Sequence, residues 1–388
     1  MRPLAAKLRQ VGRAAGLDAL GFTGAEPFST TRQILEQRRD AGLSGGMQFT
    51  YRNPRRSTSP GQTLPGARAL VVGARRYDRA RPTPRDRFDR RPRGRVARYS
   101  WVDHYQPLRD SLESVAGVLR AEGWRARVLA DDNALVDRAA AQRAGLGWYG
   151  KNTNILLPGL GSWCVIGSVL TDAPLPPDVP MEDGCGRCRR CLPACPTGAL
   201  SAPGVLDARR CLAWLVQAPG VFPMEHRVAL GDRLYGCDDC QEACPANGAE
   251  RRRGADDRID PDGGAPHGAR AQRPPPAEIG AEPEVDLLEL LAASDEEILT
   301  RWGRWYIPER NPRYLRRNAI VVLGNVAAPD DGGVQAALRR ALADPDPLLR
   351  GHAVWATRRL GLDDLLVEVA RDPDPVVRAE LEASVASR

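Results

Sequence analysis

Eight cysteines crowded into residues 185–244, out of nine in the chain, limit its fold more than any other feature. Cys185, Cys188, Cys191 and Cys195 form C-x2-C-x2-C-x3-C, followed by Pro196. Cys237, Cys240 and Cys244 repeat the run without its first member, and Pro245 follows. Cys211 lies between the two sets and stands in for the missing cysteine. Spacing of this kind lets three thiolates converge on three irons of one cubane, while the cysteine beyond the turn serves another. The pattern therefore predicts two 4Fe–4S clusters. The first takes Cys185, Cys188, Cys191 and Cys244; the second takes Cys195, Cys211, Cys237 and Cys240. Zinc is the rival, because C-x2-C pairs also suit a tetrahedral ion. Zinc seldom uses three cysteines spaced two apart with a trailing Cys-Pro, and here the motif occurs twice. Cys164, in Trp163-Cys164-Val165-Ile166, reads as a core residue.

The chain's 388 residues allow two or three domains and a sizeable core. Its first 21 residues carry apolar positions (Leu4, Leu8, Val11, Ala15) at helical spacing, with no continuous apolar stretch suited to a signal peptide. No run of 18 apolar residues occurs, so no membrane span is expected. A cytoplasmic location follows, and structural disulfides are not expected there. The formal charge of +7 favours a polyanionic partner such as nucleic acid, although Arg-rich composition alone gives such a balance.

An α+β chain is expected overall. Residues 1–180 read as an α/β domain, with strands at Ala69–Gly73 and Arg127–Leu129 and a helix over Leu108–Arg120. Ile155–Leu157 and Cys164–Gly167 read as two further strands joined by the Gly-rich turn Pro158–Ser162. Residues 181–248 form a ferredoxin-like double-cluster domain. Residues 249–283, rich in Pro, Gly, Arg and Asp, read as a flexible linker. Residues 284–388 are helical and repetitive: Asp344-Pro-Asp-Pro-Leu-Leu-Arg350 recurs as Asp372-Pro-Asp-Pro-Val-Val-Arg378, and more loosely from Asn311-Pro312. Asp or Asn before Pro is an N-cap before a first-turn proline, so these are HEAT-like helical repeats.

Beyond the cysteines, the segment Ala144-Gly-Leu-Gly-Trp-Tyr-Gly-Lys-Asn-Thr153 precedes a Gly-Ser-Trp turn at Gly161–Trp163. Then come Asp207-Ala-Arg-Arg-Cys211, Tyr235-Gly-Cys-Asp-Asp-Cys-Gln241 and, in the repeats, Leu315-Arg-Arg-Asn-Ala-Ile-Val-Val-Leu-Gly-Asn325. Together these resemble the epoxyqueuosine reductases, iron–sulfur and cobalamin enzymes that complete queuosine in tRNA. The resemblance implies an N-terminal corrinoid-binding domain of the reductive-dehalogenase kind, electrons passed through the clusters, and an epoxide substrate in a tRNA anticodon stem-loop. Aligned without gaps back from Ala144, the family's proton-donating aspartate falls on Asp131, in Leu129-Ala-Asp131-Asp132-Asn133; a surface turn is the other reading of that stretch. Corrin contacts are placed at Arg56, Asp131, Ser162, Cys237 and Asp238, from their nearness to these motifs. None of His104, His226, His267 and His352 is an obvious lower axial ligand. An external electron donor and a monomeric chain are also expected.

Gly145-Leu-Gly-Trp-Tyr-Gly-Lys151 formally fits G-x-G-x-x-G but follows an Ala-rich helix rather than a strand, so a cofactor-facing turn is expected there instead of a dinucleotide loop. Arg301, Arg304, Arg310, Arg313, Arg316 and Arg317 interleave with Trp302, Trp305, Tyr306 and Tyr314. This mixture reads either as a surface for phosphate and bases or as solenoid core with a solvated arginine face. The competing functions are a corrinoid reductive-dehalogenase-like enzyme, a non-catalytic electron carrier and a zinc-stabilised RNA scaffold. The helical repeats argue against the first, the large N-terminal domain against the second.

Overall fold

A computed structural model describes residues 1–77, 91–248 and 281–383. The chain divides into two compact units. The first comprises Met1–Ala80, Val102–Arg209 and Asp238–Glu278; the second comprises Arg81–Trp101, Arg210–Cys237 and Ile279–Arg388.

The first unit is built on a four-stranded sheet ordered Ala19–Gly24, Ala69–Arg76, Cys164–Thr171, Ala126–Ala130. Every pairing is antiparallel. Residues Ala69–Ala74 are buried without alternation, so both faces of this central strand are covered. On one face lies the helix Tyr105–Ala121, which buries Leu108, Leu112, Val115 and Leu119. Its Leu112 sits so close that a Cβ on Gly167 would fall 2.7 Å from it, so only glycine fits that strand position. On the other face, Leu70, Val72, Ala74, Leu129 and Leu170 share a core with Ala139, Ala140 and Ala141 of the short helix Asp137–Arg143. The strand expected at Ile155–Leu157 forms, but Ile155–Leu156 pairs with Trp148–Tyr149. It does not pair with Cys164–Thr171, because the bridge from Leu157 to Gly161 closes the intervening turn on itself.

The second unit contains a small sheet that periodicity did not announce. Arg93–Val96 lies between Arg233–Tyr235, parallel to it, and Glu284–Asp286, antiparallel to it. Six α-helices follow among the described residues: Leu287–Ala292, Asp295–Trp302, Arg313–Val326, Gly332–Leu342, Pro347–Arg359 and Pro375–Glu382. The repeated Asp-Pro motifs act as caps. Asp346 and Asp374 accept from the amides of Leu348 and Val376, each with proline at the first helical position. The aspartate two residues earlier turns the chain into the cap: Asp344 accepts from Asp346 N–H and Asp372 from Asp374 N–H. In the looser copy, Asn311 accepts from Arg313 N–H and Pro312 takes the cap position.

The unit boundaries differ from those expected at residues 180 and 248. Residues 210–237 side with the repeats because Leu212, Leu215, Val216, Phe222, Leu230 and Leu234 bury in the same core as Leu315, Ile320 and Trp355. The linker expected over residues 249–283 lies almost wholly outside the described residues. No described helix is long and apolar enough to cross a membrane.

Candidate active site and metal centre

The outer strand Ala126–Ala130 ends directly before Asp131, whose backbone is left-handed at φ 55°. Among residues with a Cβ, Asp and Asn take that conformation most readily. Asp132 builds the turn: its carboxylate accepts from Ala134 N–H at 2.8 Å. Val136 N–H then donates to Ser57 O and anchors the loop. The two sequence readings of Asp131-Asp132-Asn133 therefore both hold, divided between neighbours. Asp132 supplies the turn, while the Asp131 carboxyl makes no hydrogen bond among the described residues. Partial burial raises the pKa of Asp131; Arg109 opposes the shift, and the charges of Asp132 and Asp103 add to it.

Six residues on, Asp137 opens the helix Asp137–Arg143 with its Oδ1 buried and without a hydrogen-bond partner. Burial pushes its pKa well above the usual carboxylate range, and the Asp131 charge pushes it further, against Arg138. Tyr105, at the start of the helix facing this loop, is likewise held protonated by burial and by Asp131 and Asp137. Half-exposed Tyr149 is pushed up to about 12 by the protein packed around it, against Arg138 and Arg38. Burial at Asp137 and the neighbouring Asp131 charge both disfavour the ionised form of Asp137. Sequence reasoning missed Asp137, because an acidic residue in a first helical turn is ordinary dipole chemistry. Cys164 also borders this region; burial pushes its thiol up to about 12, in keeping with a core residue.

The Gly-rich segment 145–153 lies against protein, as its contacts show. It brackets the cysteine loops. Gly147 must lack a Cβ, which would fall 2.2 Å from Leu156 O across the hairpin. The Trp148 indole packs on Gly184, immediately before Cys185. Lys151 Nζ donates to Gly186 O at 2.5 Å, and Asn152 Nδ2 to Cys240 O at 3.4 Å. A second bracket comes from the Gly161–Trp163 turn. Ser162 N–H donates to Asn247 Oδ1 at 2.7 Å, and its hydroxyl donates to Gln241 Oε1 and accepts from Asn247 Nδ2, both at 2.9 Å. A side chain on Gly161 would strike Asn247.

None of the nine cysteines is paired in a disulfide. Cys191 and Cys244 both lie within electrostatic reach of Cys185 and Cys188, and burial raises the pKa of each. The four residues expected on the first cluster are thus gathered in one unit. As thiolates they would repel one another, so the set calls for a cationic centre between them. Among the described residues no three His, Cys, Asp or Glu side chains close tightly enough for a single metal ion. Cys195 Sγ accepts from Ala199 N–H at 3.2 Å, and proline after both Cys195 and Cys244 holds these residues extended. The four cysteines expected on the second cluster are divided, Cys195 and Cys240 in the first unit and Cys211 and Cys237 in the second.

Of the expected corrin contacts, Arg56 is exposed at the end of a one-turn helix, Pro54–Ser57. Ser162 is buried with its hydroxyl already engaged by protein, and Asp238 is buried beneath Gln241, which donates to it. Cys237 belongs to the other unit. His352 is buried in the second unit, accepting from Phe222 N–H through Nε2.

The arginine and aromatic cluster at residues 301–317 turns out to be scaffold. Trp302, Trp305 and Tyr314 are buried, and Trp305 stacks on Tyr235 at 4.4 Å. Arg317 is fully buried and donates to the carbonyls of Leu215, Val216, Ala218 and Gly220. Arg301 bridges Glu282 and Glu289, Arg316 pairs with Asp295, and Arg304 donates to Ser100 O and Trp101 O. Only Tyr306 among these four aromatics is exposed. A nucleic-acid face built on Arg317 is therefore ruled out: its guanidinium is spent on backbone carbonyls.

Comparison with known proteins accounts for the arrangement. Residues 184–247 match the 4Fe-4S double cluster binding domain, and residues 307–386 match HEAT repeats. The epoxyqueuosine reductase of Bacillus subtilis is 34% identical, with 98% of this chain and 94% of the relative covered. That of Bacillus cereus is also 34% identical, covering 90% and 87%. A solved epoxyqueuosine reductase with an epoxyqueuosine-modified tRNA-Tyr stem loop superposes at TM-score 0.83, with 32% identity and 98% and 97% covered. The Bacillus subtilis enzyme with its catalytic aspartate loop swung out of the active site superposes at 0.83 as well, with 31% identity and 98% of each chain covered. With this identity sustained along nearly all of its length, the chain belongs to the epoxyqueuosine reductase family.

Proposed function

We propose that this chain reduces epoxyqueuosine to queuosine at the wobble position of tRNA anticodons, with Asp131 as general acid. The reaction takes two electrons and two protons; both epoxide C–O bonds break, an alkene is left and the oxygen departs as water. Oxygen leaves poorly unless protonated, so the site needs a positioned acid. The observation that carries the reading is the Asp131 carboxyl. It stands unpaired at a strand end in left-handed backbone, its pKa raised by partial burial, and a relative has been solved with its catalytic aspartate loop swung out of the active site. The Asp131 charge adds to the rise at Asp137, and Arg109 opposes the rise at Asp131. A relative bound to an epoxyqueuosine-modified stem loop supports the substrate.

Two 4Fe–4S clusters and a cobalamin complete the proposal. The donor set fits the clusters, with Cys185, Cys188, Cys191 and Cys244 on one and Cys195, Cys211, Cys237 and Cys240 on the other. For the corrinoid, the buried unpartnered Oδ1 of Asp137 fits a ligand whose rim carries carboxamide N–H donors. Arg56, Asp131, Ser162, Cys237 and Asp238 are its proposed contacts. Bound there, a corrinoid supplies strongly reducing electrons to the substrate carbon. The chain's own residues hold the proton at Asp131, hold the cysteine loops through residues 145–153 and shield them with Trp148. Anaerobic metal and corrinoid analysis tests the cofactors: about eight irons and one cobalt per chain are expected. Zinc in place of iron would overturn the reading; iron without cobalt, after cobalamin is added, would leave only an electron carrier.

A further inference from the structure

Cys188 is the only cysteine in the chain that is exposed. It lies in the loop Gly184-Cys185-Gly-Arg187-Cys188-Arg189-Arg190, and all three arginines are exposed. None of their guanidinium groups makes a hydrogen bond or ion pair among the described residues. This separates them from the arginines of residues 301–317, which are spent on carbonyls and carboxylates. Lys151 adds a fourth cation, pinned to the same loop through Gly186 O. The acids that flank it in sequence are Glu182 and Asp183, and Asp183 is occupied by Cys185 N–H. Counted with Lys151 and the two flanking acids, the loop's three arginines give four cations less two acids, or +2.

We propose that loop 184–190 is the docking surface for an acidic one-electron carrier protein, with Arg187, Arg189 and Arg190 steering it and Cys188 marking the edge where the electron enters. The inference rests on the cluster reading above. Unpaired cations around a solvent-facing cluster edge raise the encounter rate of an anionic partner and orient it there. The reaction consumes two electrons from outside the chain. Each encounter oxidises the carrier by one electron and reduces the first cluster by one, so two encounters serve one turnover. RNA is also a polyanion, but it needs no access to a cluster edge; the juxtaposition of free arginines with Cys188 favours the carrier.

The experiment compares wild type with R187E/R189E/R190E, both loaded with iron and kept anaerobic. The probes are an acidic flavodoxin, dithionite and a tRNA anticodon stem-loop. The proposal expects flavodoxin affinity to weaken about tenfold or more at low ionic strength, with its salt dependence flattened. Reduction by dithionite and stem-loop affinity are expected to be unchanged. Unaltered flavodoxin binding would overturn the proposal; so would a loss confined to stem-loop binding, which would assign the loop to RNA. Should charge reversal impair cluster assembly, R187Q/R189Q/R190Q reads the same quantities. Wild type that carries no iron would instead defeat the underlying cluster reading, and its visible spectrum separates that outcome.

Discussion

Asp131 and Asp132 are adjacent, chemically identical and differently employed. Asp132 closes its own turn, while Asp131 is left with a free carboxyl in left-handed backbone. Register alone singled out Asp131 in the sequence; which of two neighbours spends its carboxylate on the turn is decided by backbone direction, which composition does not encode. Asparagine tolerates the same conformation and cannot act as an acid, so Asp131→Asn is expected to preserve the fold and cut turnover by about 10²–10⁴-fold. Turnover within a few-fold of wild type would remove Asp131 from the chemistry. Asp137 gives a prediction with a definite sign. Its folded pKa lies above the unfolded value, so above the ordinary Asp range the native state binds more protons than the unfolded chain. Wild type should therefore lose stability relative to Asp137→Asn as pH rises above about 4, the free Asp value. Denaturant midpoints across pH check this; parallel profiles would show that Asp137 ionises normally.

Among elements, those set by local chemistry were legible and those set by distant pairing were not. The Asp-Pro caps of the repeats could be read directly, because a cap is made within three residues. The hairpin Trp148–Tyr149 with Ile155–Leu156 was half read: its second strand was anticipated, but its partner Trp148–Tyr149 was not. The three-stranded sheet was invisible, since Arg93–Val96, Arg233–Tyr235 and Glu284–Asp286 are too short to show alternation and their pairing spans the chain. The hairpin's role as a bracket leads to a test. Gly147→Ala drives a methyl into Leu156 O and displaces Trp148 from Gly184. Iron per chain should fall well below that of wild type. Full iron loading in that variant would show that the cysteine loops hold themselves.

For the whole molecule, the linear order of motifs suggested consecutive domains, yet the two units are assembled from interleaved segments. Burial explains the difference: the apolar residues of 210–237 have their partners in the repeats. The same burial explains why the arginine-rich stretch misleads as a nucleic-acid surface. Arg227 and Glu380 form a bidentate pair at 2.6 and 2.8 Å, and both are buried. Arg227→Met strands that carboxylate and should destabilise the second unit by about 3–5 kcal/mol, read as a shift in its denaturation midpoint. A loss under 1 kcal/mol, the range of an exposed pair, would contradict the burial. His352 adds an acid sensitivity, since burial and then Arg227 hold it neutral in the folded state. The unfolded chain takes up that proton below about pH 6.5, so stability should fall as pH drops through that value, less steeply in His352→Gln.

The central claim is that Asp131 supplies the proton for a two-electron removal of epoxide oxygen. The most direct test is anaerobic conversion of an epoxyqueuosine-modified stem-loop by protein loaded with iron and cobalamin, followed by mass spectrometry of the nucleoside. Wild type should produce queuosine, one oxygen lighter, and Asp131→Asn with the same metal content should leave the epoxide intact. No oxygen loss with fully loaded wild type, or equal loss with both proteins, would contradict the account.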